Sequence, residues 1–452
     1  MTWKSKAALP FAFLLGGMIG LLAWPCAIGL APLALVALPF WGRRHWAAPF
    51  LSMLGYHLAT TYGLIHGTDD FFPHAGLLLG LGFWSGSSLL FALPYLFYTP
   101  LSLWLSTITP KAVAAITTTV LLSAISTILP PLGLVGWTSP WIGALPGGWW
   151  AMLLVLLAVG FVGKNKLSIA DIPAWILISV LLWGAFFLRD HLWLAGIVAV
   201  GFLVFSFALD TFPSATIFTI DVLHEGRLGA VIGCLLFATM LPHTAPKLPA
   251  HWTAINAKYG ELSGLSYVEA SMKLAPQVLH DFRHGSQVVL TPESIAGPWY
   301  VGTKAVWKPV LDYTASHHGK VALIGADIPN ATGGLIDALV EMHDGKETIL
   351  PDRIPVPFSM WHPWRPFQSF PMRVFGKPEI GQVGKTRIGY LICYEQLLMW
   401  PALGLIGEHM QVLLAPANDW WAEGTDIPAI QRASAKAWGN FLGVPVLFAV
   451  NR

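Results

Sequence analysis

Two short motifs in the C-terminal half place reactive side chains directly after apolar runs. One is Ser286-Gln-Val-Val-Leu-Thr-Pro-Glu293, and the other is Arg387-Ile-Gly-Tyr-Leu-Ile-Cys393-Tyr-Glu395. A cysteine at the end of a buried strand becomes a nucleophile when a nearby carboxylate takes its proton. Each motif alone would also suit a turn-capping carboxylate or a buried core thiol. Together they predict cysteine-based acyl transfer by Glu293 and Cys393.

The elements around these motifs alternate between short β-like runs and helical runs from residue 250 onward. This pattern is typical of an α/β domain, which we place at 250–452, with a mixed sheet in two or four layers. The predicted helices are Tyr267–His284, Tyr300–His317 and Ile427–Phe441. The predicted strands are Gln287–Leu290, Val321–Gly325, Leu335–Met342, Thr386–Ile392, Val412–Ala415 and Val444–Val450.

The first half of the chain has a different composition. The 452 residues are 55% hydrophobic and 11% charged, with a mean hydropathy of +0.61. Of the charged residues, 16 lie in positions 1–240 and 34 in positions 241–452. The surroundings of the chain are therefore expected to change from lipid to water near residue 240. This composition does not favour an ordinary soluble globule. The net charge of +2 gives no basic patch for nucleic acid, so no direct nucleic-acid binding is expected.

Apolar stretches in residues 1–242 predict a multi-span α-helical membrane bundle of about seven to nine helices, since a span needs roughly 17 to 25 residues. The N-terminal run follows Lys4 and Lys6 without a cleavage site and is interpreted as a retained span, not a signal peptide. The predicted spans lie near 7–24, 25–41, 47–65, 75–98, 112–134, 147–163, 172–188, 191–209 and 228–242.

The basic residues of the loops predict the orientation of this bundle. If Lys4 and Lys6 are cytoplasmic, alternation puts the other short basic loops on the same side, as the positive-inside rule requires. Nine spans then place the C-terminal domain in the periplasm of a bacterial cell, as part of a multi-pass inner-membrane protein. Miscounting one span would reverse this. The other basic loops contain Arg43, Arg44, Lys111, Lys164 and Lys166.

Metal and disulfide chemistry are not expected. The loop from His66 to His74 offers two imidazoles and, in Asp69 and Asp70, two carboxylates, but the spacing fits no familiar ligand pattern and favours an exposed polar loop. Three cysteines, two of them inside apolar runs, exclude a disulfide framework. No cofactor is implied by any motif.

The C-terminal motifs resemble those of the nitrilase, or carbon–nitrogen hydrolase, superfamily, whose fold is an αββα sandwich. With a membrane bundle in front, the architecture is similar to that of apolipoprotein N-acyltransferases, and the segment 354–364 and the ending at 449–452 look more like the TraB branch of conjugal-transfer proteins. The motifs that carry the resemblance are Thr291-Pro-Glu293-Ser, Leu391-Ile-Cys393-Tyr-Glu395, Ala417-Asn-Asp-Trp-Trp421 and Gln431-Arg-Ala-Ser-Ala.

The resemblance implies a Glu–Lys–Cys triad, and here the lysine does not match. Alignment on the Val356-Pro-Phe358 segment puts Asp352 at the lysine position and Met360 at a second family carboxylate position, whereas the carboxylate after the cysteine is kept as Glu395. An anion cannot stabilise an oxyanion, so a replacement cation is needed. The candidates are Arg353, Lys346 and Lys385.

The resemblance further implies a role in plasmid conjugal transfer. If the site is active, a thioester forms on Cys393 from an ester or amide donor, and a membrane phospholipid is a plausible donor. A lipoprotein or another conjugation protein is a possible partner. The chain ends 59 residues after Cys393, which suggests a truncated C-terminus. The alternative is a catalytically inactive membrane scaffold or binding component of conjugation.

Overall fold

The structure is a computed structural model. It describes residues 3–25, 27–72, 76–163, 246–331, 333–362, 364, 369–376 and 380–452. Within these ranges the chain forms a helical half, from residue 3 to residue 163, and an α/β half, from residue 246 to residue 452.

The α/β half contains two sheets. The first has five strands in sequence order, with β1, β2 and β3 parallel and β4 and β5 added antiparallel. The second has four strands, of which β7, β8 and β9 are parallel. The strands are β1 Trp252–Ala254, β2 Val288–Leu290, β3 Val321–Pro329, β4 Leu335–His343, β5 Lys346–Pro351, β6 Gly381–Val383, β7 Thr386–Tyr390, β8 Val412–Asn418 and β9 Val446–Asn451.

The two sheets pack face to face, and helices cover their outer faces. Leu290 and Leu339 of the first sheet share a buried apolar cluster with Ile388 and Leu414 of the second. Three longer helices flank the sheets: α10 Leu265–Arg283, α11 Val301–Ser316 and α13 Ile427–Leu442. The first two bury their apolar sides on the first sheet and α13 packs on the second, so the expected four-layer αββα order is present among the described elements.

The helical half consists of nine described α-helices, several of them short. They are α1 Trp3–Ala23, α2 Leu33–Val36, α3 Leu38–Arg44, α4 Ala48–Thr60, α5 Leu64–Phe71, α6 Gly76–Ala92, α7 Tyr98–Leu105, α8 Lys111–Thr127 and α9 Gly148–Gly163. A short helix, α12 Met399–Leu403, lies in the α/β half.

The predicted multi-span bundle is not confirmed. In the described ranges, two helical segments are long and apolar enough to cross a membrane, Gly76–Leu105 and Pro140–Gly163, and two shorter apolar helices are Ala8–Ala23 and Lys111–Thr127. The predicted span 25–41 breaks into short helices, with Pro32 and Pro39 at their starts, because proline suits a first helical turn but not an interior. The predicted spans 172–188, 191–209 and 228–242 lie outside the described residues.

Glycines allow α1 and α4 to pack closely. A Cβ at Gly16 would overlap the carbonyl of Ser52, and one at Gly55 would overlap the carbonyl of Phe13. Gly20, four residues after Gly16, approaches the carbonyl of Tyr56 in the same way. Small residues at this spacing let helix backbones approach closely in membranes.

The two halves share one apolar core. The cluster that contains Tyr56 and Ile142 of the helical half also contains Ile430 and Trp438 of α13. At its edge the hydroxyl of Tyr394 donates a hydrogen bond to the carbonyl of Leu134, 3.1 Å away. The α/β domain is therefore fixed to the ends of the helices, and α13 is the contact layer.

Candidate active site

Six acidic side chains and Cys393 meet where the strands of both sheets end. In the first sheet, β2, β3 and β5 present their C-terminal ends and β4 its N-terminal end at the same edge. Parallel β7 and β8 end there in the second sheet, and strand ends of this kind are the usual place for α/β binding sites. The acids are Glu293, Asp327, Asp337, Asp352, Glu395 and Asp419, all buried.

The position of Glu293 depends on a close approach of its backbone to β3. A Cβ at Gly325 would overlap the carbonyl of Pro292, so only glycine fits there. The N–H of Ala296 donates to the carbonyl of Gly325 at 3.0 Å, and Ser294 adopts a left-handed φ of +48°. The turn after β2 thus holds Glu293 against the neighbouring strand.

Cys393 lies on a sharp turn after β7, as expected for a presented nucleophile. Its φ is +43°, in a region that non-glycine residues rarely adopt, and it opens the 3-10 helix Cys393–Leu397. The side-chain amide of Gln431 in α13 donates to the Cys393 carbonyl at 3.1 Å, and Ser434 donates to the carbonyl of Gln396 at 2.6 Å. The segment of α13 that resembles the superfamily therefore holds the turn.

The side chains of Glu293 and Cys393 lie close enough to shift each other's pKa, in the directions expected for a thiol donor and a carboxylate acceptor. Burial raises the pKa of Glu293 to about 7. Burial and the charge of Glu293 raise the pKa of Cys393 well above its usual range, and the backbone N–H of Asn418 on the sulfur opposes this shift. The resting thiol is therefore protonated, and Glu293 is the neighbouring group that can accept its proton.

Glu395 ties the cysteine turn to the loop that carries Asp352. Its Oε1 accepts backbone N–H groups of Arg353 and Ile354 at 3.0 and 3.2 Å, and its Oε2 accepts the N–H of Ile392 at 3.1 Å. Burial raises its pKa, and these hydrogen bonds oppose the shift. A carboxylate that accepts three N–H groups stabilises backbone geometry, which fits the supporting role expected from the sequence.

Asp352 lies inside the site, but none of the three expected replacement cations does. Arg353 points away, and its guanidinium donates to the carbonyls of Pro401 and Gly376 at 3.4 and 2.9 Å. Lys346 and Lys385 are exposed at the starts of β5 and β7, whereas the site lies at the ends of these strands. Proximity in sequence therefore did not place these cations in the site. Lys346 and Lys385 lie at the opposite ends of their strands, and the Arg353 side chain turns away.

Arg373 is a cation near the site that the sequence did not suggest. Its guanidinium donates to the carbonyls of Pro351 and Asp352, and its charge opposes the rise in the Asp352 pKa that burial causes. Arg373 comes from a loop 21 residues downstream of Asp352 that has no strand or helix pattern, so spacing gave no signal. It holds the backbone at the end of β5.

Asp337 also belongs to the site and was not predicted. Burial raises its pKa well above the usual range, and the nearby carboxyl group of Glu293 raises it further. The hydroxyl of Ser294 donates to Asp327 at 2.6 Å and to Asp337 at 3.4 Å. An acid inside the otherwise apolar run Leu335-Ile-Asp-Ala-Leu-Val was the available signal, since buried acids need a partner.

Aromatic side chains connect the site's outer loop to the helical half. Phe358, with a φ of +67°, lies 5.5 Å from Phe83 of α6 and 5.9 Å from Trp364 between ring centroids. Met360 lies on the same loop, where its N–H donates to the carbonyl of Val356. Within the described residues no group of three metal-ligating side chains could hold a metal ion.

No family model matches the chain. It is 28% identical over 447 residues to a probable conjugal transfer protein TraB of Sinorhizobium fredii, covering 96% of each chain. It is 26% identical over 471 residues to a conjugal transfer protein TraB of Agrobacterium fabrum, covering 99% of this chain and 94% of that one. A solved nitrilase-superfamily amidase from Nesterenkonia is 13% identical, with a TM-score of 0.34 over 47% of this chain and 79% of its own. The chain is thus similar over nearly its whole length to two proteins named TraB.

Proposed function

We propose that this protein is a membrane-bound thiol acyltransferase or amidase that serves plasmid conjugal transfer. The observation that carries the catalytic part is the contact between Glu293 and a cysteine held at positive φ on a strand-end turn. The conjugal part rests on the full-length similarity to proteins named TraB.

The proposed reaction begins with deprotonation of Cys393 by Glu293. The thiolate attacks the carbonyl of an ester or amide donor, a C–S bond forms, and the donor's C–O or C–N bond breaks. Glu293 returns the proton to the leaving group. Water or an acceptor then attacks the thioester: a C–O or C–N bond forms, the C–S bond breaks, and Glu293 accepts the nucleophile's proton and passes it to the Cys393 thiolate. Glu395 and Gln431 position the turn but do not touch the reacting atoms.

A phospholipid donor fits the exposed apolar surface of the helical half. Phe11, Leu14 and Leu21 of α1, and Leu78 of α6 and Trp104 of α7, are more than half exposed. Large apolar surfaces of this kind are rare on water-soluble monomers. The aromatic contact between Phe83 and Phe358 connects this surface to the loop that follows Asp352.

A periplasmic position for the α/β domain is also proposed. Lys111 begins α8, the helix after which Leu134 meets Tyr394 of the α/β domain. Arg43 and Arg44 end α3, and Trp41 of the same helix clusters with Ala8 and Ala12 in the first half of α1. These basic residues therefore lie at the helix ends away from the domain, and the positive-inside rule assigns those ends to the cytoplasm.

A second candidate function is a catalytically inactive membrane scaffold for conjugation. Asp352 in the position of the superfamily lysine, together with the raised pKa of Cys393, favours it. Removing one member of a cooperating catalytic set can cost several orders of magnitude in rate.

One experiment separates the two candidates. The full chain in detergent is incubated with phospholipid and analysed by intact-mass spectrometry, with Cys393→Ser as the matched control. Catalysis predicts a hydroxylamine-labile acyl adduct on the wild-type protein alone, and loss of conjugation for Cys393→Ser at unchanged protein level. Absence of an adduct, with normal conjugation by Cys393→Ser, would favour the scaffold.

A further inference from the structure

Two buried carboxylate oxygens in the active site have no hydrogen-bond partner. Oδ1 of Asp352 and Oε2 of Glu293 are both shielded from solvent, and the two residues are 2% and 5% exposed. A buried acceptor without a donor costs free energy, more so when it is charged. Both oxygens therefore lack a donor that would stabilise them.

The surrounding charges do not supply that donor. The charges that act most strongly on Glu293 and Asp337 are all carboxylates: for Glu293 they are Asp327 and Asp419, and for Asp337 they are Glu293, Asp352 and Asp327. Arg373 acts on Asp352 through its charge, and its guanidinium donates to the backbone carbonyls of Pro351 and Asp352. The thiol that must ionise therefore lies among acids.

The geometry favours an ammonium group over a metal ion as the complement. No set of three ligating side chains in the described ranges has the arrangement a metal requires. An ammonium group instead donates up to three hydrogen bonds, and buried carboxylate oxygens that lack a donor are acceptors for it.

We propose that Glu293, Asp337 and Asp352 form a binding site for the primary ammonium group of an external ligand, which supplies positive charge beside Cys393. The inference deepens the proposed function, on which its catalytic meaning rests. The ammonium group donates to the unpartnered oxygens of Asp352 and Glu293, and its charge stabilises the thiolate of Cys393. The group can come from a free amine or from an ethanolamine lipid headgroup, since both present the same cation.

The test measures amine binding without an acyl donor. Ethylammonium chloride is added to the full chain in detergent at pH 7, and tetramethylammonium chloride at equal ionic strength is the control that cannot donate N–H bonds. Two signals are followed: the melting temperature, and the rate at which neutral iodoacetamide alkylates Cys393, resolved from Cys26 and Cys234 by peptide mass spectrometry. Ethylammonium, and not tetramethylammonium, should raise the melting temperature. It should also accelerate alkylation of Cys393 saturably, by about threefold or more.

Two variants of one residue make the outcome decisive. Asp352→Asn should abolish both responses, whereas Asp312→Asn, an exposed acid on α11, should keep them. In Asp352→Lys, Cys393 should be alkylated rapidly with no amine added, and ethylammonium should not change that rate. Equal effects of the two salts on wild type, or an unchanged response in Asp352→Asn, would overturn the site.

Nanodiscs of phosphatidylethanolamine and of phosphatidylcholine then identify the source of the ammonium group. Faster alkylation of Cys393 in phosphatidylethanolamine alone assigns the lipid headgroup, and equal rates in the two lipids assign the free amine.

Failure of this inference and failure of the proposed function give different results. An acyl adduct on Cys393 without any ethylammonium response would keep the enzyme and reject the ammonium site. An ethylammonium response that depends on Asp352 without any adduct would keep the site and reject the acyl donor.

Discussion

Asp327 and Asp337 are directly opposite each other in the antiparallel pairing of β3 and β4. Like charges in this relationship destabilise a sheet. Ser294 donates to both carboxyl groups, and burial raises the pKa of Asp327 to about 6. The pair is therefore more stable in the fold when a carboxyl group of the pair is protonated.

This relationship predicts a stability that falls as pH rises. A carboxyl group whose pKa is raised in the folded state stabilises the fold fully below its unfolded pKa of about 4. That contribution is lost as pH rises through the folded pKa, which is about 6 for Asp327 and about 7 for Glu293 and Asp419. Asp337→Asn should flatten this slope and raise the melting temperature at pH 8 by roughly 2–4 °C. Thermal unfolding between pH 5 and pH 8 measures it, and exposed Asp312→Asn should match wild type. A steeper slope in Asp337→Asn would contradict the assignment.

Glu395→Gln should destabilise the α/β domain by about 1–3 kcal/mol, because an amide cannot accept all three backbone N–H groups and leaves a buried donor unsatisfied. Denaturant unfolding of the full chain measures the change. The matched control is Glu408→Gln, which removes only an exposed carboxylate that pairs with Arg387 at 3.4 Å. Equal stability of the two variants would show that Glu395 does not hold the turn.

Gly325→Ala should separate Glu293 from Cys393, because the added methyl group meets the carbonyl of Pro292 and pushes the turn outward. We expect at least about a tenfold loss of acyl-adduct formation, the effect of losing a positioned base. Gly302→Ala is the control, since nothing lies within 4 Å of a Cβ there. A fully active Gly325→Ala protein would remove Glu293 from the proposed mechanism.

Gly16→Leu should prevent α1 from packing on α4, since the carbonyl of Ser52 occupies the space of the new side chain. The expected result is a sharp fall in the amount of folded protein recovered from membranes, measured by size-exclusion chromatography in detergent. Gly82→Leu, where nothing lies within 4 Å of a Cβ, should accumulate normally. Normal recovery of both variants would contradict the close packing of these helices.

The sequence predicted the interior of the α/β half better than its edges. Six predicted strands correspond to β2, β3, β4, β7, β8 and β9, and the three predicted helices correspond to α10, α11 and α13. The edge strand β5 was missed because its run Lys346-Glu-Thr-Ile-Leu-Pro351 is mostly polar and exposed, with Leu350 as its buried side chain. The three-residue strands β1 and β6 are too short for any period to be read.

The site was predicted in part for a similar reason. Glu293, Cys393 and Glu395 follow apolar strands, so their motifs gave their positions. The contributions of Asp337 and Arg373 depend on which strands lie side by side, and local sequence contains no such information. Hydropathy did not give the helix boundaries in the described helical half, because it measures how apolar a run is and not where its helix breaks. The run near 47–65 shows this, since α4 ends at Thr60 and a new helix begins at Leu64.

The common core beneath α13 limits how this protein can be produced and dissected. The helix that holds the Cys393 carbonyl through Gln431 has its other side against Ile142 and Trp149 of the helical half. A recombinant fragment beginning near residue 246 would expose that side to water and loosen the helix on which the cysteine turn rests. Loss of reactivity in such a fragment would therefore report missing support and not the absence of chemistry in the intact chain.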